Sequence, residues 1–459
     1  MARRTFINER VGQLDPHCSV VTWSSYPSLG SDMDCIKCYE HAEDRSLNEC
    51  AKSDYLHNID QFIHPLSEKY LRLTNNLVER KGKAVSSLLP LFSDIATDPF
   101  VAGSSHPGFV HLDSIAFGCS CCCAQVTVSG SDLEETKYLH DVLAVLAPIM
   151  LSMTASTPII RGFLTNHDVR WKVISETTDD RRDHEQQYRP RYDSVGMYLS
   201  KCSNLSDVTI PYCCETFNIL SEGGMDERLA KHFAVIFNRD PLLVIGKDLA
   251  LTDQQGAAKE CTEMFLSTVW PSVKFKIPCD VDQGWRVEFR VMEIQPNDFE
   301  NAAFIVFVLL FTRMCLHFAI KVEDFLIPFL NLIRTCNYVK RETRYWRSNF
   351  IYFHCLSIDS ERVCSNGVKL LTVNEIVNGS SSNGHVGILP LIRLYLATVT
   401  EESSSVESYL SHIESVSVGE TPTVASKIRE LVMNHPLYKQ DSVVSPKVAQ
   451  DVICSLCRM

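Results

Sequence analysis

Charged residues alternate with apolar ones along GWRVEFRVMEIQ, the stretch from Gly284 to Gln295. Successive side chains of a β-strand point to opposite faces, so a strand here puts Arg286, Glu288 and Arg290 on one face. The other face is apolar and carries Trp285, Val287, Phe289 and Val291. A carboxylate between two guanidinium groups suits a metal–nucleotide site, in which the carboxylate holds Mg²⁺ and the arginines bind phosphate or carboxylate oxygens. On a surface strand the same pattern is a solvated face with cross-strand ion pairs, and both interpretations stay open.

Cysteines crowd a second segment, GCSCCCAQVTV, from Gly118 to Val128. If it is a strand, the face expected to line a cleft consists of Cys119, Cys121, Cys123, Gln125 and Thr127. The opposite, core-facing side consists of Cys122, Ala124, Val126 and Val128. Sulfurs along one strand edge cannot surround a tetrahedral zinc ion, and disulfides along a strand are strained. A cysteine nucleophile needs an adjacent base that the sequence does not identify, which leaves a pocket wall or simply buried cysteines.

Three further groups of residues could bind ions. Arg170, in NHDVRWKVI, either forms an ion pair within the structure or binds an anionic substrate. The charged run from Thr177 to Ser194 is by default a solvated loop, with a lid over a polyanionic ligand as the alternative. A CIKC pair has the spacing of a metal knuckle but no matching second pair, which argues against zinc at Cys35, Cys38 and Cys50.

Two helices are predicted beside these strands. SDLE, Ser131 to Glu134, has the spacing of a capping box and precedes apolar residues at helical intervals, and Pro148 ends or kinks this helix. NDFE, Asn297 to Glu300, is a second capping box and opens an apolar helix through Phe311. The apolar run of that helix is shorter than the roughly 20 residues that span a bilayer. We therefore expect a buried core helix and no membrane partner.

The overall composition is that of a globular protein with an acidic balance. The chain has 459 residues, 45% of them hydrophobic, with a net charge of −12 and a pI near 5.7. An acidic protein lacks the basic face that phosphate backbones attract, so no nucleic-acid partner is expected. The first residues contain no apolar export signal, so the 19 cysteines are expected to be reduced thiols in the cytoplasm. P-loop, GxGxxG and HExxH motifs are absent from the sequence.

Several long stretches, in the same order, resemble the catalytic subunit of eukaryotic glutamate–cysteine ligase (γ-glutamylcysteine synthetase). They are FGCSCCCAQVT, RGFLTNHDVRWKVISETTDDR, RYDSVGMYLSK, FNRDP, GWRVEFRVMEIQPNDFENAAFIVFVLLFTR and NHPLYKQDSV. The resemblance implies an α+β fold in which a glutamine-synthetase-like antiparallel sheet curves into a funnel surrounded by helices. It also implies one catalytic domain over 1–459, with a weakly matching part (1–107), a sheet-rich active-site part (108–295) and a mainly helical part (296–459).

The same resemblance implies a reaction, cofactors and a partner. Members of this family use ATP and Mg²⁺ to phosphorylate the γ-carboxylate of L-glutamate. The amine of L-cysteine then displaces the phosphate and gives γ-glutamylcysteine, the first step of glutathione biosynthesis. A heterodimer with the family's modifier subunit is the assembly expected from this resemblance.

Individual site roles also follow from the resemblance. The strand of Cys121, Cys123 and Gln125 is expected to line the glutamate pocket. Arg170 matches the arginine that binds the glutamate carboxylate. The remaining matches are Tyr192 and Trp270 as an aromatic pair around substrate, Glu288 as a Mg²⁺ ligand and Arg290 over the transferring phosphoryl group. The charge pattern of the strand, and not a family match, predicts Arg286 as a further cofactor-binding arginine.

The sequence departs from the family at its N-terminus. Members of the family begin with a long segment bearing a GDEVE-like strand and a later glutamate-bearing stretch, which supply most Mg²⁺ ligands, and this sequence has neither. We therefore expect an N-terminally incomplete fold and impaired activity of this chain by itself, whether it is a partial gene record or a short isoform. One alternative is a catalytically inactive paralogue or isoform that binds the modifier subunit. Another is a thiol-rich metal or redox protein, which the strand geometry disfavours.

Overall fold

A computed structural model describes residues 2–16, 18, 20–31, 68–101, 106–200, 208–242, 262–263, 265–278, 283–327, 332, 351–359, 362–399 and 404–458. The strands are β1 Ser87–Pro90, β2 Phe109–Leu112, β3 Val126–Ser129, β4 Ile159–Ile160, β5 Phe163–Leu164, β6 Tyr192–Asp193, β7 Trp270–Pro271, β8 Val273–Lys276, β9 Arg286–Phe289, β10 Ile351–Asp359 and β11 Arg362–Leu371. The helices are α1 Ala2–Leu14, α2 Glu68–Lys81, α3 Ala116–Cys119, α4 Leu133–Met153, α5 Trp171–Thr177, α6 Cys214–Glu222, α7 Glu227–Ile236, α8 Asp298–His317, α9 Val322–Phe325, α10 Val373–Asn378, α11 Ile388–Val399, α12 Ser404–Val418, α13 Val424–Met433 and α14 Pro446–Arg458. Helices and small, mostly antiparallel sheets confirm the predicted α+β class. The cysteine set of Cys35, Cys38 and Cys50 lies outside the described residues.

A three-stranded antiparallel sheet in the order β3–β9–β8 carries the charged strand at its centre. Its register aligns Glu288 with Thr127 on one side and with Lys274 on the other. One face packs into the core and consists of Val126, Val128, Val273, Phe275, Val287 and Phe289. The predicted alternation along β9 is therefore confirmed, and the opposite face of the sheet is polar.

The helix α4 follows β3 and forms part of the core behind the sheet. It begins one residue later than SDLE predicts, because Asp132 is the N-cap and accepts a hydrogen bond from the Glu135 amide at 2.8 Å. Glu135 in turn accepts from the backbone amide and hydroxyl of Ser131. Pro148 does not end the helix, which continues to Met153. Proline removes one backbone donor, and dense burial on all sides of this helix outweighs that loss.

The helix α8 follows the charged strand and is longer than predicted. Asn297 is its N-cap and accepts from the Phe299 amide at 2.7 Å, so the predicted start is confirmed, whereas the end lies at His317 instead of Phe311. By length and composition α8 could cross a membrane, although a buried helix in a protein core meets the same criteria. Its buried residues are Ala303, Phe304, Phe307, Val308, Phe311, Thr312, Met314 and Cys315, and α12 packs along it.

The cysteine-rich segment is only partly a strand. The helix α3 ends at Cys119, and β3 begins at Val126, so Cys121, Cys122 and Cys123 lie in the irregular segment that connects them. Val126 and Val128 face the core as predicted, and Cys121 is buried, but Cys122 is exposed, so its predicted place on the core-facing side is wrong. A period of two residues holds only for extended chain, and the turn after α3 breaks it.

Candidate active site

Three charged side chains meet on the polar face of the central sheet. Glu288 is buried and forms ion pairs with Lys276 from β8 and with Arg290, which follows β9. Burial pushes the pKa of Glu288 up, but the hydrogen bond from Lys276 and the charge of Arg290 outweigh it and hold that pKa below its usual range. The carboxylate is therefore ionised at neutral pH, and it lies among cations that could also bind an anion.

Arg170 lies at the start of α5 and is completely buried. One terminal nitrogen of its guanidinium donates to the Tyr192 hydroxyl at 2.6 Å, and the other donates to the backbone carbonyl of Arg290 at 3.0 Å. Its Nε lacks a hydrogen-bond partner among the described residues. The groups that its guanidinium contacts through hydrogen bonds in this part of the chain are therefore neutral.

Tyr192, whose hydroxyl accepts a hydrogen bond from Arg170, is part of an aromatic cluster. The strands β6 and β7 pair in parallel and set Tyr192 opposite Trp270, with ring centroids 6.3 Å apart. Trp171 packs edge-on against Tyr192 at 5.0 Å. The predicted aromatic pair is thus next to the predicted carboxylate-binding arginine.

Two cysteines lie near the same arginine, but in different environments. Burial raises the pKa of Cys121 to about 12, despite the nearby charge of Arg170. Cys121 is therefore a neutral thiol, unsuited to act as a nucleophile. Cys123 is half-buried and forms an isolated antiparallel β-bridge with Glu293. Its Sγ accepts a hydrogen bond from the side-chain amide Nε2 of Gln125 at 3.2 Å.

Glu293 is a buried carboxylate beside Arg170 and is not among the site residues predicted from the sequence. It accepts a hydrogen bond from the backbone amide of Arg170 and others from Ser156, Thr157 and Ser24. Burial raises its pKa, against the lowering effect of the Arg170 charge and of these hydrogen bonds. The sequence does contain one indication of a special role. In an extended chain Glu293 falls on the apolar face of the charged strand, and a carboxylate is rare on a buried face.

The charged run before Tyr192 is only partly solvated. Asp180 is fully buried and pairs with Arg191 at 2.8 Å, with Arg239 at 2.5 Å and with Arg80 at 3.4 Å. These contacts join α2, the charged run and the segment after α7. The default interpretation of the run as solvent-facing is therefore wrong around Asp180 and Arg191, whereas Arg182, Asp183 and His184 are exposed as it predicts.

The structure brings most of the predicted site residues into one region. Cys121, Cys123, Arg170, Tyr192, Trp270, Glu288 and Arg290 are linked by the contacts described above, and Gln125 adjoins Cys123. Arg286 lies on the polar face of β9 but hydrogen-bonds Gln283 instead of Glu288. Within the described ranges, no group of three or more His, Cys, Asp or Glu side chains could hold a metal ion. Among the predicted site residues Glu288 is the one carboxylate, and Mg²⁺ bound to substrate phosphates often uses only one or two carboxylates.

Comparison with known proteins identifies the relatives of this chain. The family described as glutamate-cysteine ligase matches residues 1–459. The glutamate–cysteine ligase catalytic subunit of Rattus norvegicus is 32% identical over 484 aligned positions, which cover 97% of this chain and 74% of the rat protein. The glutamate–cysteine ligase of Schizosaccharomyces pombe is 34% identical, over 85% of this chain and 62% of the yeast protein. The human catalytic subunit is 33% identical, over 85% of this chain and 66% of the human protein.

Proposed function

The chain belongs to the glutamate–cysteine ligase family, and we propose that it joins the γ-carboxylate of L-glutamate to the amine of L-cysteine in an ATP-dependent reaction. The product is γ-glutamylcysteine, which belongs to glutathione biosynthesis, and ADP is released. The support comes from two neighbouring features, the buried guanidinium of Arg170 and the charged face around Glu288.

The buried guanidinium of Arg170 is the observation that carries this proposal. Its side chain donates to a hydroxyl and a carbonyl, and its Nε is unpartnered among the residues that the structure describes. A buried charge is costly unless an opposite charge reaches it, and a guanidinium matches a carboxylate through parallel hydrogen bonds. L-Glutamate supplies such a carboxylate, and Cys121, Cys123 and Gln125 are proposed to form the wall of its pocket.

The polar face of the sheet suits the triphosphate of ATP. Lys276, Arg286 and Arg290 bring positive charge to this face, and Arg290 is proposed to stabilise the phosphoryl group during its transfer. Glu288 would hold Mg²⁺, which shields phosphate charge. Tyr192 and Trp270 are proposed to form an aromatic pair around substrate, since they lie beside Arg170.

The reaction has two steps. An oxygen of the glutamate γ-carboxylate attacks the γ-phosphorus of ATP, which forms γ-glutamyl phosphate and releases ADP. The cysteine amine then attacks the acyl carbon, the bond from carbon to phosphate oxygen breaks, and the nitrogen loses a proton as the amide forms. The protein contributes position and charge stabilisation, which supply most of the acceleration in phosphoryl transfer.

The finer architecture is part of the proposal. We propose that β3, β9 and β8 belong to a glutamine-synthetase-like funnel. Glu288 is the one carboxylate among the strand residues on the polar face of this sheet, and shielding a triphosphate with two or more Mg²⁺ ions takes further ligands. We therefore propose that the turnover of this chain by itself is slow.

The assembly and location are proposals as well. The printed names of the rat and human relatives describe catalytic subunits, and we propose that this chain also pairs with a modifier subunit. Co-expression followed by size-exclusion chromatography tests that pairing. The cysteines that the structure describes are free thiols, which supports a reducing location such as the cytoplasm.

Amino-acid-dependent ADP release tests the proposed reaction. The purified chain is given MgATP, L-glutamate and L-cysteine, and each amino acid is omitted in turn. We expect slow ADP release that requires both amino acids, with γ-glutamylcysteine detected by mass spectrometry. ADP release that ignores the amino acids, or no release at all, would overturn the proposal. The second of these outcomes would favour the inactive paralogue or isoform that binds a modifier subunit.

A further inference from the structure

The carboxylate of Glu293 is buried beside Arg170 but does not neutralise its guanidinium through a hydrogen bond. Glu293 is 1% exposed and lies three residues after Arg290. One carboxylate oxygen accepts from the backbone amide of Arg170. The other accepts from the Ser156 amide at 2.7 Å, from the Ser156 hydroxyl at 3.0 Å, from the Thr157 hydroxyl at 2.8 Å and from the Ser24 hydroxyl at 3.3 Å.

Every donor in this set is a neutral backbone amide or hydroxyl. The Ser24 and Thr157 hydroxyls also hydrogen-bond each other at 2.6 Å, and each has a single hydrogen, so the two do not both donate to Glu293 at the same time. An ionised carboxylate has only acceptor atoms and therefore suits these donors. A glutamine side chain at this position would instead direct its own two N–H hydrogens toward some of them. Hydrogen bonds to a charged group are stronger than those between neutral groups. The carboxylate therefore fixes the main chain where Ser24, Ser156, Thr157 and Arg170 come together.

Arg170 is consequently held at both ends by one short segment of chain. Its backbone amide is bound by the Glu293 side chain, and its guanidinium is bound by the backbone carbonyl of Arg290. The negative charge of Glu293 lies close enough to favour the charged form of Arg170, yet Arg170 Nε stays unpartnered within the described chain. A direct ion pair would occupy the donors that a substrate carboxylate needs.

We propose that Glu293 is a positioning residue that fixes the main chain at Arg170, so that the guanidinium is aligned for an anionic substrate without being neutralised by a direct ion pair. This inference rests on the proposed function for the identity of that substrate, L-glutamate. It assigns Glu293 no contact with substrate. Its effect is exerted through Arg170.

Kinetics of Glu293→Gln test the inference. The Michaelis constant for L-glutamate should rise at least about tenfold, because Arg170 loses its main-chain anchor, while those for ATP and L-cysteine change less than about twofold. Glu293→Asp keeps the charge with a shorter reach and should recover part of the loss. Thr157→Val removes one donor to Glu293 with little change of shape. It is therefore the second test variant if Glu293→Gln does not fold. It should raise the glutamate constant about threefold.

Asp141→Asn is the matched control, because Asp141 is another buried carboxylate that accepts backbone amides, here those of Leu199 and Ser200. It should lower thermal stability and leave the glutamate constant unchanged. Equal rises for all three substrates in Glu293→Gln, or the same glutamate effect in Asp141→Asn, would overturn the inference.

Hydrogen–deuterium exchange separates this inference from the proposed function. The peptide that contains Arg170 should exchange faster in Thr157→Val and Glu293→Gln than in the wild type, and Asp141→Asn should leave it protected. This readout needs no substrate. Unchanged exchange would overturn the inference about Glu293 even if ligase activity is found, and faster exchange would support it even if the substrate is not glutamate.

Discussion

Charges in this site differ in how completely the protein has neutralised them. Glu288 already has Lys276 and Arg290 as cationic partners, so its charge is balanced without a ligand. Arg170 has a hydroxyl and a carbonyl as hydrogen-bond partners and lies in a fully buried position. A bound carboxylate therefore gains most at Arg170, whereas a bound metal or phosphate at Glu288 must first replace existing ion pairs.

Replacing Arg290 by alanine should separate catalysis from substrate binding. Arg290→Ala removes the guanidinium proposed to stabilise the phosphoryl group, so ADP release should fall at least about a hundredfold. The backbone carbonyl that holds Arg170 is retained, so L-glutamate affinity should change less than about threefold. Steady-state kinetics and calorimetric titration measure the two effects.

Arg393→Ala is the control for loss of an arginine, because Arg393 forms surface ion pairs with Glu407 and Glu414. It should leave both ADP release and glutamate binding intact. Normal turnover in Arg290→Ala would contradict the role given to Arg290.

Cys122 should be dispensable. Its thiol is exposed on the turn before β3, so Cys122→Ala creates no cavity and should change the free energy of unfolding by less than about 0.5 kcal/mol. ADP release should stay at the wild-type rate. A folded but inactive Cys122→Ala enzyme would show that the exposed side of this turn takes part in the reaction.

The elements around the site are held by local signals that single substitutions can test. Asp132 caps α4, the long helix that packs behind the central sheet. Asp132→Ala should lower the free energy of unfolding by about 1 kcal/mol, because the Glu135 amide loses its acceptor. Thermal or denaturant unfolding measures the loss. Asp132→Asn keeps a capping oxygen and should cost only a few tenths of a kcal/mol, and equal losses in both variants would refute the capping role.

Local patterns predicted some of these elements and missed others for a physical reason. The alternation that places Val287 in the core and the cap at Asn297 depend on neighbouring residues, and both were predicted correctly. The path of α4 through Pro148 depends on packing from distant segments. The burial of Asp180 depends on arginines far away in sequence, so no local pattern revealed it.

In the candidate site, too, some features follow from the sequence and others depend on contacts between distant segments. Family resemblance predicts site roles for Arg170 and Tyr192, but their mutual hydrogen bond and the hydrogen bond from the Arg170 amide to Glu293 are tertiary contacts. The turn after α3 also changed which cysteines face solvent, because period-two reasoning assumed an extended chain.

Acid should destabilise the whole molecule through two buried histidines. Burial lowers the pKa of His232 to about 3, with a contribution from the nearby His140, and that of His167 to about 4, with contributions from Lys172 and Arg429. In the unfolded chain both imidazoles are protonated near pH 6.5. Between that pH and their lower folded-state pKa values, the unfolded chain therefore binds more protons than the folded chain. The neutral histidines therefore make their full contribution to the free energy of unfolding above about pH 6.5. That free energy falls as the pH drops toward 4, by up to about 1.4 kcal/mol per pH unit for each histidine.

His232→Phe should reduce that dependence. Phe233 and Phe275 already surround the imidazole, so an aromatic ring fits there without a group that titrates. Denaturant unfolding measured between pH 7 and about pH 5 should show that the free energy of unfolding depends less steeply on pH than in the wild type. An unchanged slope would mean that His232 is protonated in the folded state as readily as in the unfolded one.

The most direct test of the central claim is calorimetric titration of L-glutamate into the wild-type chain and into Arg170→Lys. Lysine keeps the positive charge but loses the planar set of donors, including Nε. The wild type should bind L-glutamate, and Arg170→Lys should bind it at least about tenfold more weakly while retaining the fold by circular dichroism. Wild-type affinity in Arg170→Lys, or no binding by the wild type, would contradict the assignment of Arg170 as the buried cation that receives the substrate carboxylate.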